Sequence, residues 1–171
     1  KGVVVKIVEE KDANEVEKLI TEINTGTYCF NNKKLFHALT FLKNDNKQKE
    51  YYLTDVIKII KEMNGNVYAF ETEDQEEVIG INDRRALEKA NQILKRRVNN
   101  KLMVSGVTII DSENTYISVD TNIGQDTVIY PGTIIMGKNK IGSNCHIGPN
   151  TELENVKVAD NVEIRHSVIT D

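Results

Sequence analysis

Three short polar clusters interrupt apolar stretches in the first half of this 171-residue chain. They are Glu9-Glu10-Lys11-Asp12 after Ile7-Val8, Glu22-Ile23-Asn24-Thr25-Gly26, and Asn82-Asp83-Arg84 after Gly80-Ile81. A carboxylate and two amides suit a ligand rich in hydroxyls, such as a polyol or sugar, because each hydroxyl needs both a donor and an acceptor. Each cluster lies at the end of an expected strand or helix, and open α/β sheets bind ligands at the carboxyl ends of their strands. Each also has a plain structural reading: Asn24 as a helix C-cap, Asn82 or Asp83 as an N-cap, Glu9 as an exposed strand-end charge. In Glu50-Tyr51-Tyr52-Leu53-Thr54-Asp55, residues Glu50, Tyr52 and Thr54 alternate along an extended segment, so one face can present all three. The competing reading is that Tyr52 and Leu53 dock the helix that follows. His37, His146 and His166 read as structural or surface histidines, and Cys29 and Cys145, far apart and outside any CxxC, as reduced structural thiols.

The elements that must position these groups alternate strand and helix. Strand-like runs are Val3–Val8, Tyr28–Phe30, Asn66–Phe70 and Val78–Ile81. Asp12 followed by Glu15 has the form of a capping box, with Val16, Leu19, Ile20 and Ile23 then at helical spacing up to Asn24-Thr25-Gly26. Leu35, Leu39 and Leu42 line a second helix. Leu53, Val56, Ile57 and Ile60 line a third. Asp83 caps a long helix to about Asn100 with an apolar stripe at Leu87, Ala90, Leu94 and Val98. The expected organisation is an α/β part over 1–82, a linking helix and connection over 83–106, and a repeat region over 107–171.

That last region carries a six-residue repeat. Ile117, Ile123, Ile129, Ile135, Ile141, Ile147 and Leu153 recur in one phase. At 39% hydrophobic residues, a given phase would do this by chance roughly once in 700. Four residues after each aliphatic stands a small or short polar residue: Thr121, Thr127, Thr133, Asn139, Cys145 and Thr151. Glycine follows the aliphatic directly at Gly124, Gly142 and Gly148. The pattern predicts about three coils of a parallel β-helix, aliphatics inward and small residues at crowded corners. After Leu153 the phase slips by one and resumes at Val158 and Ile164, with Val162 and Val168 in the four-later positions.

Net charge is −4 and charged residues make up 28% of the chain, which argues for neither nucleic-acid nor membrane binding. No apolar run approaches the roughly 18 residues of a membrane span, and a cytoplasmic location is the expectation. The chain starts in a strand-like run and stops while the repeat is still running, as expected of a piece of a longer protein.

The ordered set IVEEKDA, EINTG, EYYLTD, GINDR, KLMVSGVTIID and then hexapeptide repeats resembles the bifunctional N-acetylglucosamine-1-phosphate uridylyltransferase / glucosamine-1-phosphate acetyltransferase family. The resemblance implies the C-terminal portion of a Rossmann-like nucleotide-diphospho-sugar transferase domain followed by a left-handed β-helix. It implies that Glu9 bonds sugar hydroxyls, that Asn24 contacts the N-acetylglucosamine moiety, and that Asn82 binds the sugar nucleotide and a Mg²⁺ ion beside an aspartate. Glu50, Tyr52 and Thr54 would face the sugar. The family's Gly-Thr-Arg phosphate loop and the aspartate that shares the metal would lie before Lys1. The acetyl-CoA site and catalytic histidine would lie after Asp171. No catalytic residue is then expected here, and the chain alone should run neither reaction. The implied partners are sugar-1-phosphate and UTP or UDP-sugar, with a homotrimer formed through the β-helix. Two alternatives stand beside this enzyme reading: a trimeric β-helix binding or scaffold module, and a nucleotidyltransferase for another hexose phosphate.

Overall fold

Each hexapeptide folds into a two- or three-residue strand and a corner, because alternation along a strand sends one side chain inward and its neighbours out. In the computed structural model, which describes residues 4–171, strands β1 (Thr108–Ile109), β4 (Val128–Ile129), β7 (His146–Ile147) and β10 (Glu163–Ile164) form one parallel sheet. Strands β2 (Tyr116–Ile117), β5 (Ile134–Met136), β8 (Glu152–Glu154) and β11 (Val168–Thr170) form a second. Strands β3 (Asn122–Ile123), β6 (Lys140–Ile141) and β9 (Lys157–Val158) form a third. Every strand pairs with the one three places on, so the chain winds as a three-faced parallel β-helix. Two faces hold four strands each, close to four coils rather than the three expected from the repeat.

The pairings stack the repeat in register: Ile129 on Ile147, Ile135 on Leu153, Ile123 on Ile141. Ile129, Ile135, Ile147 and Leu153 are fully buried, Ile117 and Ile141 nearly so, and Ile123 packs partly buried against the same core. Burying one such side chain contributes about 1.5–3 kcal/mol. All six predicted small residues are buried too. Their hydroxyls and amides satisfy corner backbone groups that no strand can reach. Thr127 Oγ1 donates to the Gly142 carbonyl at 2.8 Å and accepts from the Cys145 amide at 3.1 Å. Thr133 Oγ1 donates to the Tyr130 carbonyl at 2.7 Å. Asn139 Nδ2 donates to the Met136 carbonyl at 2.8 Å while its Oδ1 accepts from the Val156 amide at 2.9 Å.

Gly124 and Gly142 stand one above the other at a corner where coils approach closely. A Cβ on Gly142 would meet the Asp160 amide nitrogen at 2.6 Å, and one on Gly124 the Ser143 amide nitrogen at 2.6 Å. The phase slip after Leu153 is real: Val158 stacks under Ile141. A second slip follows, because Ile169 rather than Val168 pairs with Leu153. Val168 therefore points outward, 73% exposed, against the expectation that it sits at an inward corner.

The chain divides into two compact units, Lys1–Val78 and Ile79–Asp171. In the second, helix α3 (Arg84–Val104) precedes the coils, and the Asp83 side chain caps it by accepting from the Ala86 amide at 2.7 Å. Its buried residues are Ile93, Lys95, Asn99 and Leu102, whereas Leu87 and Leu94 of the expected stripe are about half exposed. The helix presents polar groups to the first coil because that coil has bare carbonyls to satisfy. Asn99 Nδ2 donates to the Ser112 and Thr115 carbonyls at 3.0 and 3.1 Å. Lys95 Nζ donates to the Glu113 carbonyl at 2.6 Å and sits 4.9 Å from the Tyr116 ring centroid.

The first unit differs more from expectation. Helices α1 (Asn32–Leu39) and α2 (Asp55–Glu62) pack around Ala38, Val56 and Ile60, with Leu35, Leu39 and Leu42 against them. No strand occurs among its described residues. Val4–Val8, Tyr28–Phe30 and Asn66–Phe70 run without strand partners, and Val3 lies outside the described residues. Residues 78–81 likewise form no strand: Val78 ends a 3-10 turn, Gln75–Val78. The helix expected after Asp12 shrinks to a 3-10 turn, Glu17–Leu19. Its cap is Asn14, whose Oδ1 accepts from the Glu17 amide at 2.9 Å while Glu17 Oε2 accepts from the Asn14 amide at 2.9 Å, a capping box two residues later than expected. Val16, Leu19, Ile20 and Ile23 stay 62–79% exposed, so the stripe has nothing to stabilise a longer helix.

Candidate functional site

Glu9 opens a tight turn in which its carbonyl accepts from the Asp12 and Ala13 amides at 2.9 and 3.0 Å. The turn leaves the Glu9 carboxylate half-buried, and Thr54 Oγ1 donates to its Oε1 at 3.4 Å. Thr54 is buried at the N-cap position of α2, where its own side chain makes no capping bond and so remains available to Glu9. Two of the predicted motifs, 45 residues apart, thus meet at one place.

Further contacts tie the same two segments together. Lys11 Nζ donates to Gln48 Oε1 at 2.6 Å, Gln48 Nε2 donates to the Tyr52 hydroxyl at 2.6 Å, and the Lys47 amide donates to Asp12 Oδ1 at 3.1 Å. Lys47 Nζ donates to the Lys11 carbonyl. The Gln48 bond lowers the Tyr52 hydroxyl pKa, but partial burial and the Asp12 and Glu50 carboxylates outweigh it and hold the phenol above its ordinary value. Glu50 is exposed, and its backbone is held by Asn46, whose Oδ1 accepts from the Glu50 amide at 3.2 Å. The segment is not a strand. The Tyr52 and Leu53 carbonyls accept from the Asp55 and Val56 amides and lead directly into α2. Tyr52 and Thr54 therefore reach the Glu9 region while introducing a helix.

Asn24 is exposed and lies in no helix, so it is not a C-cap. Its Oδ1 accepts from the Gly26 amide at 3.3 Å and its Nδ2 donates to the Tyr28 hydroxyl at 2.7 Å, which holds the amide at the mouth of a turn. Asn82 is exposed and belongs to the second unit, with Asp83 rather than Asn82 as the helix cap. The structure thus joins Glu9, Tyr52 and Thr54 in one cluster; Asn24 sits apart from their hydrogen bonds, and Asn82 is in the other unit.

The implied metal fits these residues poorly on their own. Asn82 offers a single neutral oxygen, and neighbouring Asp83 is committed to the helix cap and to Arg85 at 3.4 Å. Mg²⁺ asks for near-octahedral oxygen coordination with carboxylate or phosphate partners. Among the described residues no group of three His, Cys, Asp or Glu side chains converges on a cation site. The histidines keep to structural places: His146 Nδ1 lies 3.2 Å from the Tyr130 hydroxyl on an outer face, His166 occupies a left-handed corner, and His37 packs edge-on to Phe41. Asp12, Lys47 and Gln48 were not singled out from sequence as site residues. The one signal for them was their density in polar loops that meet only on folding.

Known sequences similar to this chain point the same way. The bacterial transferase hexapeptide family (six repeats) matches residues 120–155. The bifunctional protein GlmU of Geobacillus sp. (strain WCH70) is 55% identical over 99% of the chain, that of Geobacillus thermodenitrificans 56% over 99%, and that of Clostridioides difficile 52% over 100%. The similarity to GlmU sequences runs over essentially the whole chain. It spans 37% of the length of these relatives. The hexapeptide match and the parallel coils fit a left-handed hexapeptide β-helix of the kind found in GlmU. No helix among the described residues is long and apolar enough to cross a membrane.

Proposed function

We propose that the chain is part of a cytoplasmic bifunctional enzyme that makes UDP-N-acetylglucosamine from N-acetylglucosamine-1-phosphate and UTP, and that acetylates glucosamine-1-phosphate with acetyl-CoA, for cell-wall precursor synthesis. The observation that supports this best is the Thr54–Glu9 hydrogen bond, which joins two of the sugar-contacting motifs in one cluster. In this reading residues 1–82 supply the sugar side of the uridylyltransferase site, 83–106 link, and 107–171 begin the β-helix. Glu9 accepts from sugar hydroxyls, Tyr52 and Thr54 flank it, Glu50 borders the cluster, and Asn24 and Asn82 contact the N-acetyl sugar and the sugar nucleotide.

The sugar phosphate attacks the α-phosphorus of UTP in line and pyrophosphate leaves, so the protein's task is chiefly positioning. The residues here orient the acceptor sugar. Mg²⁺ belongs to the whole enzyme, with Asn82 as a contributing oxygen, and acetyl-CoA serves the acetyl-transfer reaction. Trimer formation would use the outer face of β2, β5, β8 and β11, where Tyr116 and Ile134 stack as exposed neighbours with Met136 on the same strand as Ile134, before Glu152 and Glu154 continue the two columns.

Titration of the 171-residue chain with UDP-N-acetylglucosamine by calorimetry tests the sugar-side reading. Weak binding is expected, weakened further in Glu9→Ala, with no sustained pyrophosphate release from UTP, Mg²⁺ and N-acetylglucosamine-1-phosphate. Binding by Glu9→Ala equal to that of the parent would remove Glu9 from the site.

A further inference from the structure

We propose that Asp12 is a positioning residue that sets the register between the Glu9 turn and the Tyr52–Thr54 segment, and through it the geometry of the sugar-binding cluster. The proposal rests on the reading of that cluster as a sugar site. Asp12 closes the turn that Glu9 opens, since its own amide donates to the Glu9 carbonyl at 2.9 Å. Its side chain reaches across to the other segment, where Oδ1 accepts from the Lys47 amide at 3.1 Å. One residue therefore grips both partners by different groups, backbone on the Glu9 side and carboxylate on the Lys47 side.

The second carboxylate oxygen, Oδ2, is buried and accepts no well-formed hydrogen bond among the described residues. A buried carboxylate oxygen left in this state is costly, and such a group persists where it serves something beyond stability. The Asp12 carboxylate is felt by the Tyr52 hydroxyl. That oxygen already accepts from Gln48 Nε2, so its single proton remains to be donated, and the Asp12 charge opposes its ionisation. Asp12 thus opposes ionisation of the Tyr52 phenol, while the Lys47 bond fixes the segment that carries Thr54 to Glu9. Charged groups on the same two segments include Glu9, Lys11, Lys47 and Glu50, of which Lys11 bonds Gln48 and Lys47 bonds the Lys11 carbonyl.

The test compares the parent chain with Asp12→Asn and Glu9→Gln. Asp12→Asn keeps the size and one acceptor for the Lys47 amide but removes the charge facing Tyr52. Two readouts are taken: affinity for UDP-N-acetylglucosamine, and the Tyr52 phenol pKa by NMR of ring-labelled tyrosine, assigned with Tyr52→Phe. Expected are a loss of affinity of about tenfold in Asp12→Asn, a downward shift of the Tyr52 pKa in Asp12→Asn, and no such shift in Glu9→Gln. An Asp12→Asn chain that binds like the parent, or whose Tyr52 titrates unchanged, overturns the proposal. If the parent chain fails to bind the sugar nucleotide, the sugar-site reading falls; the Tyr52 titration then still decides whether Asp12 couples the two segments.

Discussion

The two units of this chain reach order by opposite routes. In the β-helix each coil repeats the one before, so an aliphatic finds an aliphatic partner and a corner carbonyl finds the small polar side chain of a neighbouring repeat. Among the described residues the first unit has a small core gathered on Ala38, Val56 and Ile60, with Ile57 and Thr54 also buried, and binds its loops through exposed side-chain hydrogen bonds. Where the same contact recurs, stability is a sum of near-identical increments. Where each contact is singular, it rests on one pair of residues, and those are the contacts that build the candidate site. Regularity supports the scaffold and irregularity supports the chemistry.

The largest effect should come from removing a stacked aliphatic. Ile135→Ala leaves a cavity between coils and is expected to cost about 2–5 kcal/mol of β-helix stability in urea unfolding. Amide exchange read residue by residue should show the loss confined to 107–171. If first-unit amides lose as much protection, the contrast between the units is wrong.

Next comes the junction of helix and first coil. Asn99→Ala strips the Ser112 and Thr115 carbonyls of their donor and should destabilise by about 1–3 kcal/mol. Asn99→Leu, apolar and similar in volume, should do no better, because the carbonyls stay buried and unpaired. A leucine variant as stable as the parent would show that packing, not hydrogen bonding, holds this end of the β-helix.

The smallest expected effect is one of pH. Hydrogen bonds from the Asn114 side chain and the Asn114 and Glu113 amides hold the Asp111 carboxyl below its ordinary pKa, with the Lys95 ammonium assisting. A depressed folded-state pKa adds stability that is fully present above the unfolded value and is lost as the pH falls through the folded one, that is, below about pH 4. Melting temperature should therefore fall on acidification, and part of that fall should vanish in Asp111→Ala. An identical acid profile for the variant would show that the turn after β1 does not depend on this charge.

The repeat region was legible in the sequence because its information is local. Whether Ile129 or Thr127 points inward follows from spacing along the chain, and the neighbour that completes the contact is the next copy of the same pattern. Even there the second slip escaped notice, since Val168 and Ile169 are adjacent aliphatics and only the pairing of Ile169 with Leu153 chooses between them. The first unit was less legible for the converse reason. Val4–Val8 and Asn66–Phe70 have strand composition, but a strand exists only where another chain segment accepts its hydrogen bonds, and none of the described residues does so. The stripe from Val16 to Ile23 has helical spacing, but without burial it supports one 3-10 turn.

What the sequence determined by itself was the β-helix, its inward aliphatics and polar corners, the Asp83 cap and the resemblance to GlmU sequences. What only the tertiary structure decided was the meeting of Glu9 with Thr54, the grip of Asp12 on Lys47, and the burial of Lys95 and Asn99. A periodic pattern is read from neighbours in the chain, whereas a contact between two singular residues depends on how the path between them folds.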